Sequence, residues 1–326
     1  MRVLVTGCAG YIGSVLTRQL LGKGHHVRGM DALLFGGDSL VDIINHPRFE
    51  FVRADVRDAK AVLATLDGVE AVAHLAAVVG DPACAQQPDL ARAVNLDASQ
   101  TLLRLCNENS RIQRFVFAST CSNYGKMEGD GYVTETSPLR PVSLYAELKV
   151  GFETHLLGAA LRPDLSPTAL RFATVYGISP RMRFDLTVNE FVRELALGRQ
   201  LRVFGEQFWR PYCHVEDLAR SVVLVLESPA DSVRQNVFNV GDTRENYTKK
   251  MVVDEIFKCL HDLPPTLVTY VHKTEDPRDY RVDFSKIHSA LGFQITKRVP
   301  DGIREISVLL RQGVISDPDA ARFKNV

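Results

Sequence analysis

The first half of the chain alternates short apolar runs with stretches of helical periodicity. Apolar runs fall at Arg2–Thr6, His26–Met30, Phe49–Arg53, Val69–Leu75, Arg114–Ala118 and Thr168–Phe172. Between them, apolar residues recur every three or four positions, as in Ser14–Lys23, which stops at Gly24, and from about Pro88 to Asn109. The runs read as strands and the 3.6-residue recurrence as helix. Strand and helix in alternation predict βαβ units, and so a parallel sheet covered on both faces. After Tyr176 the rhythm breaks. The pattern predicts an irregular lead-in, a helix and a short strand over 180–203, a helix over His214–Glu227 and a strand over Asn236–Val240. Further helices surround a turn at Pro264 and Pro265. No repeat or long linker divides the chain, so the second lobe is expected to interleave with the first.

With 326 residues, about two domains are expected. The 39 basic and 39 acidic residues cancel, which argues against a nucleic-acid partner. An anionic ligand would have to be held by a few placed cations. No apolar stretch reaches membrane-span length, and the N-terminus enters a strand without an apolar leader, so a cytoplasmic protein with no membrane partner is expected. The six cysteines contain no CxxC and the nine histidines no HxxxH, so reduced thiols and no metal site are expected.

Candidate chemistry begins at the turn after the first strand. Thr6–Gly13 reads TGCAGYIG, with Gly7, Gly10 and Gly13. A dinucleotide loop needs glycine to turn tightly, to bring backbone N–H groups to a pyrophosphate, and to pack helix on strand. Asp31 ends the second strand, about twenty residues on. A carboxylate there accepts hydrogen bonds from the adenosine ribose and repels a 2′-phosphate, favouring NAD over NADP. It also fits a turn-starting aspartate, and Arg28 and Arg53 leave room for NADP. Asp55 and Val56 follow the third strand, placed to meet the adenine edge.

Ser143–Lys149 reads SLYAELK and sets Tyr145 and Lys149 one helical turn apart. By itself the pair is either a solvated helix face or an acid–base pair. The stretch STCSNYG, Ser119–Gly125, ends the fifth strand and favours chemistry, because it supplies Thr120. A tyrosine used as a base needs its pKa brought towards neutrality. A lysine one turn away supplies the cation that does this, and a threonine hydroxyl orients the reacting oxygen.

In these residues the sequence resembles the extended short-chain dehydrogenase/reductases, and among them the NAD-dependent sugar-nucleotide epimerase/dehydratase family with its UDP-glucose 4-epimerase-like members. The resemblance covers nearly the whole chain. TGCAGYIG, HLAA at His74–Ala77, VNLDAS at Val94–Ser99, STCSNYG, YAELK, LRFATVYG at Leu170–Gly177, WRPYCHVEDLA at Trp209–Ala219 and FNVG at Phe238–Gly241 fall in family order. It implies that Thr120, Tyr145 and Lys149 are catalytic. It implies tightly held NAD, contacted by Gly7, Gly10, Tyr11, Ile12, Gly13, Asp31, Asp55, Val56, Leu75, Ala76, Ala77, Asn95 and Ser119 together with Tyr145 and Lys149.

For a nucleotide-diphosphate sugar the resemblance implies Arg210 at the diphosphate, a surface ion pair being the other reading. Arg278 and Lys273 are further candidates for the same anion. Asn189 is expected near the diphosphate, and Thr174 stands where many relatives carry a substrate-touching asparagine. Asp81 reads either as a contact to a sugar hydroxyl or as an Asp-Pro turn. Arg181 and Arg183 either line the pocket or form a charged loop face.

Departures from the family bear on the reaction. Its 4,6-dehydratases follow the threonine with an Asp-Glu pair, and its decarboxylases keep a glutamate at the second position. Here Cys121 and Ser122 stand there, so neither elimination nor decarboxylation is expected. Cys121 is either a proton-transfer group or a small residue filling the strand end, and both positions are expected to face substrate.

The expected fold is α/β, a Rossmann-type doubly wound parallel sheet with a smaller interleaved C-terminal substrate lobe. Residues 1–175 would bind NAD, with part of 212–245 returning to that domain, and 176–326 would bind the nucleotide-sugar. The expected activity is epimerisation, at C4, through transient oxidation to a 4-keto sugar. The alternatives are an NAD(P)H-dependent 4-ketoreductase or dehydrogenase, and a non-catalytic NAD-binding protein. Family members often dimerise through two long helices, here about Pro88–Asn109 and Ser143–Leu157, so a homodimer is expected.

Overall fold

The computed structural model describes residues 1–127, 129–274 and 278–325. Its strands, in chain order, are β1 (Arg2–Thr6), β2 (His26–Asp31), β3 (Phe49–Arg53), β4 (Ala71–His74), β5 (Arg114–Thr120), β6 (Ser166–Phe172), β7 (Thr174–Tyr176), β8 (Leu201–Phe204), β9 (Trp209–His214), β10 (Asn236–Val240), β11 (Asn246–Thr248) and β12 (Val268–Val271). Seven of them form one sheet in the order β10-β6-β5-β4-β1-β2-β3. Every pairing in it is parallel.

All residues of β4 and β6 are buried, as a sheet covered on both faces requires. Helix Tyr11–Gly22 packs on helix Val215–Glu227 on one face. Helix Ala98–Glu108 packs beside helix Leu144–Gly158 on the other. The chain winds outward from β1 through β2 to β3, then returns to build β4, β5 and β6 on the other side. The order therefore reverses between β1 and β4, and a crevice opens at their carboxyl ends, where Thr6 stands beside His74.

The second half makes a smaller lobe from the sheet β11-β9-β7 and the pair β12-β8. It does not stand apart. After β9, the chain re-enters the central sheet as β10, beside β6. One buried core joins Val5 and Leu16 of the first half to Val188 and Ile303 of the second. The helical stretch expected over Pro88–Asn109 is broken into helix Pro88–Arg92, a π turn at Ala93–Asp97 and helix Ala98–Glu108. Such π turns recur at functional sites, where they re-aim one side chain.

The glycine turn is tight in the literal sense. Gly7 has φ +75°, and a Cβ on it would lie 2.9 Å from the Ala76 nitrogen. A Cβ on Gly13 would lie 1.9 Å from the Gly7 carbonyl oxygen. Neither contact is with a flexible side chain, so the backbone itself would have to shift. Gly13→Ala is expected to lower folding stability by about 1–3 kcal/mol, as other overpacked sites do, read from urea unfolding. An unchanged unfolding midpoint would contradict the close approach of helix to turn.

Candidate active site

The crevice between β1 and β4 is prepared for an anion and a ribose. Gly10 caps helix Tyr11–Gly22 without a side chain across its end. The first-turn N–H groups and the positive end of the helix dipole are thus left to a phosphate. Asp31 is held rigidly: Oδ2 accepts from the Ala9 N–H at 3.0 Å and Oδ1 from the Leu33 N–H at 2.8 Å. Burial raises the Asp31 pKa above the ordinary range, and the two backbone donors and Arg181 oppose that rise.

The wall opposite is built from β4. Thr6 Oγ1 bonds His74 Nδ1 at 2.7 Å, and His74 Nε2 bonds Ser99 Oγ at 2.8 Å. Burial, then the charge of Lys149, brings the His74 pKa down to about 3, so the ring is neutral. Thr6 Oγ1 also accepts from the Ala76 N–H, which sets the path of Leu75–Ala77 along the crevice. Asn95, aimed by the π turn, grips Val78 by both backbone groups, at 2.8 and 2.9 Å. The glycine turn, Asp31 and the Leu75–Ala77 wall share one crevice, and the Cβ-free turn suits a dinucleotide.

Other residues with expected cofactor roles have their side chains engaged elsewhere. The Tyr11 phenol bonds the Gly177 carbonyl and Asn189. Ile12 packs against the core, and Val56 is buried in it. The Asp55 carboxylate is held bidentate by Arg57, which lowers its pKa. Ser119 donates to Glu153 Oε2 at 2.5 Å.

The candidate reactive group sits where β5 meets helix Leu144–Gly158. Ser143 caps the helix, its Oγ accepting from the Ala146 N–H at 3.3 Å. That start places Tyr145 in the first turn and Lys149 one turn later on the same face. The Tyr145 phenol hydrogen-bonds with Thr120. Thr120 Oγ1 also accepts from the Ser122 N–H at 3.1 Å, capping the turn Cys121–Tyr124. Lys149 Nζ donates to the Ala118 carbonyl at 2.7 Å and lies 5.9 Å from the centre of the Tyr145 ring.

Burial brings the Lys149 pKa down to about 8, so the ammonium persists at neutral pH. Burial raises the Tyr145 phenol above its ordinary range, and the neighbouring Cys84 thiol and Asp81 carboxylate add to the rise. Arg183 and the bond to Thr120 pull the other way. The phenol in the chain alone is thus a weak acid, and further positive charge is needed to make it a base.

On the substrate side, Asp81 bridges the two lobes. Its Oδ1 accepts from Ser143 Oγ at 2.7 Å, and its Oδ2 pairs with Arg278 Nη1 at 2.8 Å. The carboxylate thereby steadies the helix cap that carries Tyr145. Ser122 bonds the Tyr280 hydroxyl, and the Arg210 guanidinium lies 5.5 Å from the centre of the same ring. Arg210 is buried. Lys273 lies over Phe204, 5.5 Å from its ring centre. Thr174 is half-buried in β7, opposite Tyr212. The Asn189 amide binds both backbone groups of Gly177 and the Arg183 carbonyl, so it shapes a loop from inside. The Cys121 thiol turns into the core and donates to the Arg171 carbonyl at 3.2 Å. Arg181 and Arg183 are both buried, which removes the reading of a charged loop face.

The residue that sequence reasoning missed is Glu153. It stands one turn beyond Lys149 on the same helix face, and the repeated four-residue step could have pointed to it. Its carboxylate takes Arg171 at 2.6 Å, Ser119 at 2.5 Å and Asn123 at 3.3 Å. All of these groups are buried, and Ser119 is the chain neighbour of Thr120. Among the described residues no cluster of three or more His, Cys, Asp or Glu could hold a metal, and no helix is long and apolar enough to cross a membrane.

Comparison with known proteins agrees with this geometry. The model of the NAD dependent epimerase/dehydratase family matches residues 3–241. A Bacillus subtilis protein described as an uncharacterized UDP-glucose epimerase is 30% identical over 321 residues, covering 95% of this chain and 98% of its own. The dTDP-glucose 4,6-dehydratase DesIV of Streptomyces venezuelae, solved with NAD and TYD bound, is 28% identical with a TM-score of 0.84, over 96% of this chain and 98% of its own. The UDP-glucuronic acid 4-epimerase of Bacillus cereus, solved with UDP-glucuronic acid and NAD, is 26% identical with a TM-score of 0.84, over 96% and 99%.

Two outcomes test this account of the site. Glu153→Gln leaves the buried Arg171 without its counter-charge and is expected to cost about 3–5 kcal/mol of stability. Adding Arg171→Met should restore part of that loss, and a double-mutant cycle in urea reads the coupling. The second outcome concerns pH. Below about 6.5 the unfolded chain protonates His74, while the folded chain refuses that proton down to about 3. The folded state is therefore disfavoured as pH falls through this window, by up to about 1.4 kcal/mol per pH unit from this one group. Unfolding free energies measured across the window should slope less steeply in His74→Gln than in the parent chain.

Proposed function

Because the chain belongs to the NAD-dependent epimerase/dehydratase family, we propose that it epimerises a nucleotide-diphosphate sugar at C4, keeping its NAD throughout. The chemistry NAD supplies when bound is removal of hydride from the sugar carbon, its return to the opposite face, and a positive ring charge beside the phenol. Tyr145 takes the proton of the 4-hydroxyl and later gives it back. Lys149, held against the Ala118 carbonyl, keeps a positive charge one helical turn from the phenol and favours its ionised form. Thr120, already bonded to that phenol, offers its hydroxyl to the reacting oxygen. Arg210, buried beside Tyr280, is the cation we assign to the diphosphate.

One observation carries the choice of epimerisation over elimination. The two residues after Thr120 provide a thiol and a hydroxyl, and both are engaged: Cys121 with the Arg171 carbonyl, Ser122 with Tyr280. A dehydratase needs an acid and a base there, and neither side chain serves at neutral pH. Burial pushes the Cys121 thiol far above its ordinary pKa, so it is no base either.

The deciding experiment incubates the enzyme with UDP-, GDP-, CDP- and dTDP-sugars, follows NADH absorbance and resolves the products. A changed sugar without net NADH is the expected result. NADH accumulating in step with product would replace this reading with a dehydrogenase. Tyr145→Phe should lower kcat on the order of 10²–10⁴-fold, the usual worth of a general base, while NAD stays bound. Undiminished turnover in that variant would remove Tyr145 from the mechanism.

A further inference from the structure

The loop that follows β7 is fastened at both ends of its span. Ser179 Oγ donates to the Tyr11 carbonyl at 2.7 Å and lies 3.2 Å from Ser14 Oγ, so the loop begins against the first turn of the nucleotide helix. Arg181 follows, 7% exposed, its guanidinium 4.6 Å from the Phe35 ring centre and close to Asp31. Its Nε makes no hydrogen bond among the described residues, although it is buried. A buried cation with an unpartnered Nε thus lies beside the carboxylate expected to receive the adenosine ribose.

A distant segment holds this loop down. Arg181 Nη2 donates to the Lys324 carbonyl at 3.1 Å. The Phe184 N–H donates to the Phe323 carbonyl at 2.9 Å, and the two rings meet edge to face with centres 5.5 Å apart. The Asn325 N–H donates to Asp185 Oδ2 at 3.1 Å, the same carboxylate that pairs with Arg183. Three hydrogen bonds to backbone groups of a segment more than a hundred residues away in sequence, and a ring contact, thus tie down one stretch of loop.

We propose that the segment Ala321–Asn325 is a clasp that holds the Ser179–Asp185 loop along the dinucleotide crevice, and that Arg181 is the cofactor contact it keeps in place. Its consequence is retention: NAD leaves only when the clasp opens. The proposal rests on NAD as the cofactor and not on which reaction the sugar undergoes.

The test uses no sugar. Full-length protein, a chain ending at Ala320, Phe323→Ala and Arg181→Gln are each loaded with NAD and mixed with excess etheno-NAD, whose fluorescence reports exchange. The full chain should exchange slowly. All three variants should exchange roughly tenfold faster or more, the scale of one or two lost hydrogen bonds. The NAD-free melting temperature of Arg181→Gln should stay near that of the parent, whereas loss of the buried Phe323 ring lowers it in the other two variants. Equal exchange rates would overturn the clasp. So would faster exchange by Arg181→Gln accompanied by an equal loss of its NAD-free stability, because that pattern describes general loosening. A failure of the epimerase assignment would leave these outcomes readable.

Discussion

The site depends on one face of one helix pressed against the end of one strand. Tyr145, Lys149 and Glu153 stand at successive turns of helix Leu144–Gly158, and each reaches a different part of β5 or the turn after it. Tyr145 meets Thr120, Lys149 meets the Ala118 carbonyl, and Glu153 meets Ser119. A slip of one residue in the helix would rotate it by about 100° and separate all three contacts together. The proposed reactive pair and its support are therefore set by the same register, and Asp81 adds the start of that register by gripping Ser143.

The face is also where the protein places charge in its interior. Lys149, Glu153, Arg171 and neutral His74 all lie out of water, on the helix and on β4 and β6, the two strands that flank β5. Burial of an unpaired charge is costly, and the structure meets that cost differently at each place. Glu153 and Arg171 neutralise each other with a closed set of hydrogen bonds. His74 avoids charge altogether. Lys149 keeps its charge, held by one carbonyl and the faces of Phe117 and Tyr145. Lys149, which pairs with no carboxylate among the described residues, is set beside the phenol, where its field can act on a proton.

The smaller lobe completes the crevice through its own loop, not through a separate body. Asn189 and Glu305 fix Gly177 and Ile178 by their backbone groups, so the loop leaves β7 in one direction only. A side chain on Gly177 would strike His214, whose ring lies 2.2 Å from where a Cβ would stand. From that fixed start the loop carries Arg181 towards Asp31 and Arg183 towards Tyr145, one cation near each end of the crevice. The return of β10 to the central sheet makes the two lobes share a core, so this alignment is built into folding.

Local pattern in the sequence was enough for the parallel α/β sheet, the glycine turn, the strand-end place of Asp31, and the placing of Tyr145 and Lys149 on one helix face. These follow from period, from the spacing of glycines, and from four-residue spacing, all of which act over a few residues, whereas Thr120 reaches Tyr145 only through the packing of the helix on β5. It was not enough for the partners of a side chain that crosses the fold. Ser119, Asn95, Asn189 and Tyr11 carry the residue types expected of a ligand contact, yet their polar atoms bind Glu153, Val78 or Gly177. Cys121 could point to substrate or to core, because at a strand end a single ψ angle decides. Arg181 and Arg183 read equally as surface or pocket until their burial is seen. In each case the partner lies tens of residues away, and only the packing of helices and strands against one another brings it within bonding distance.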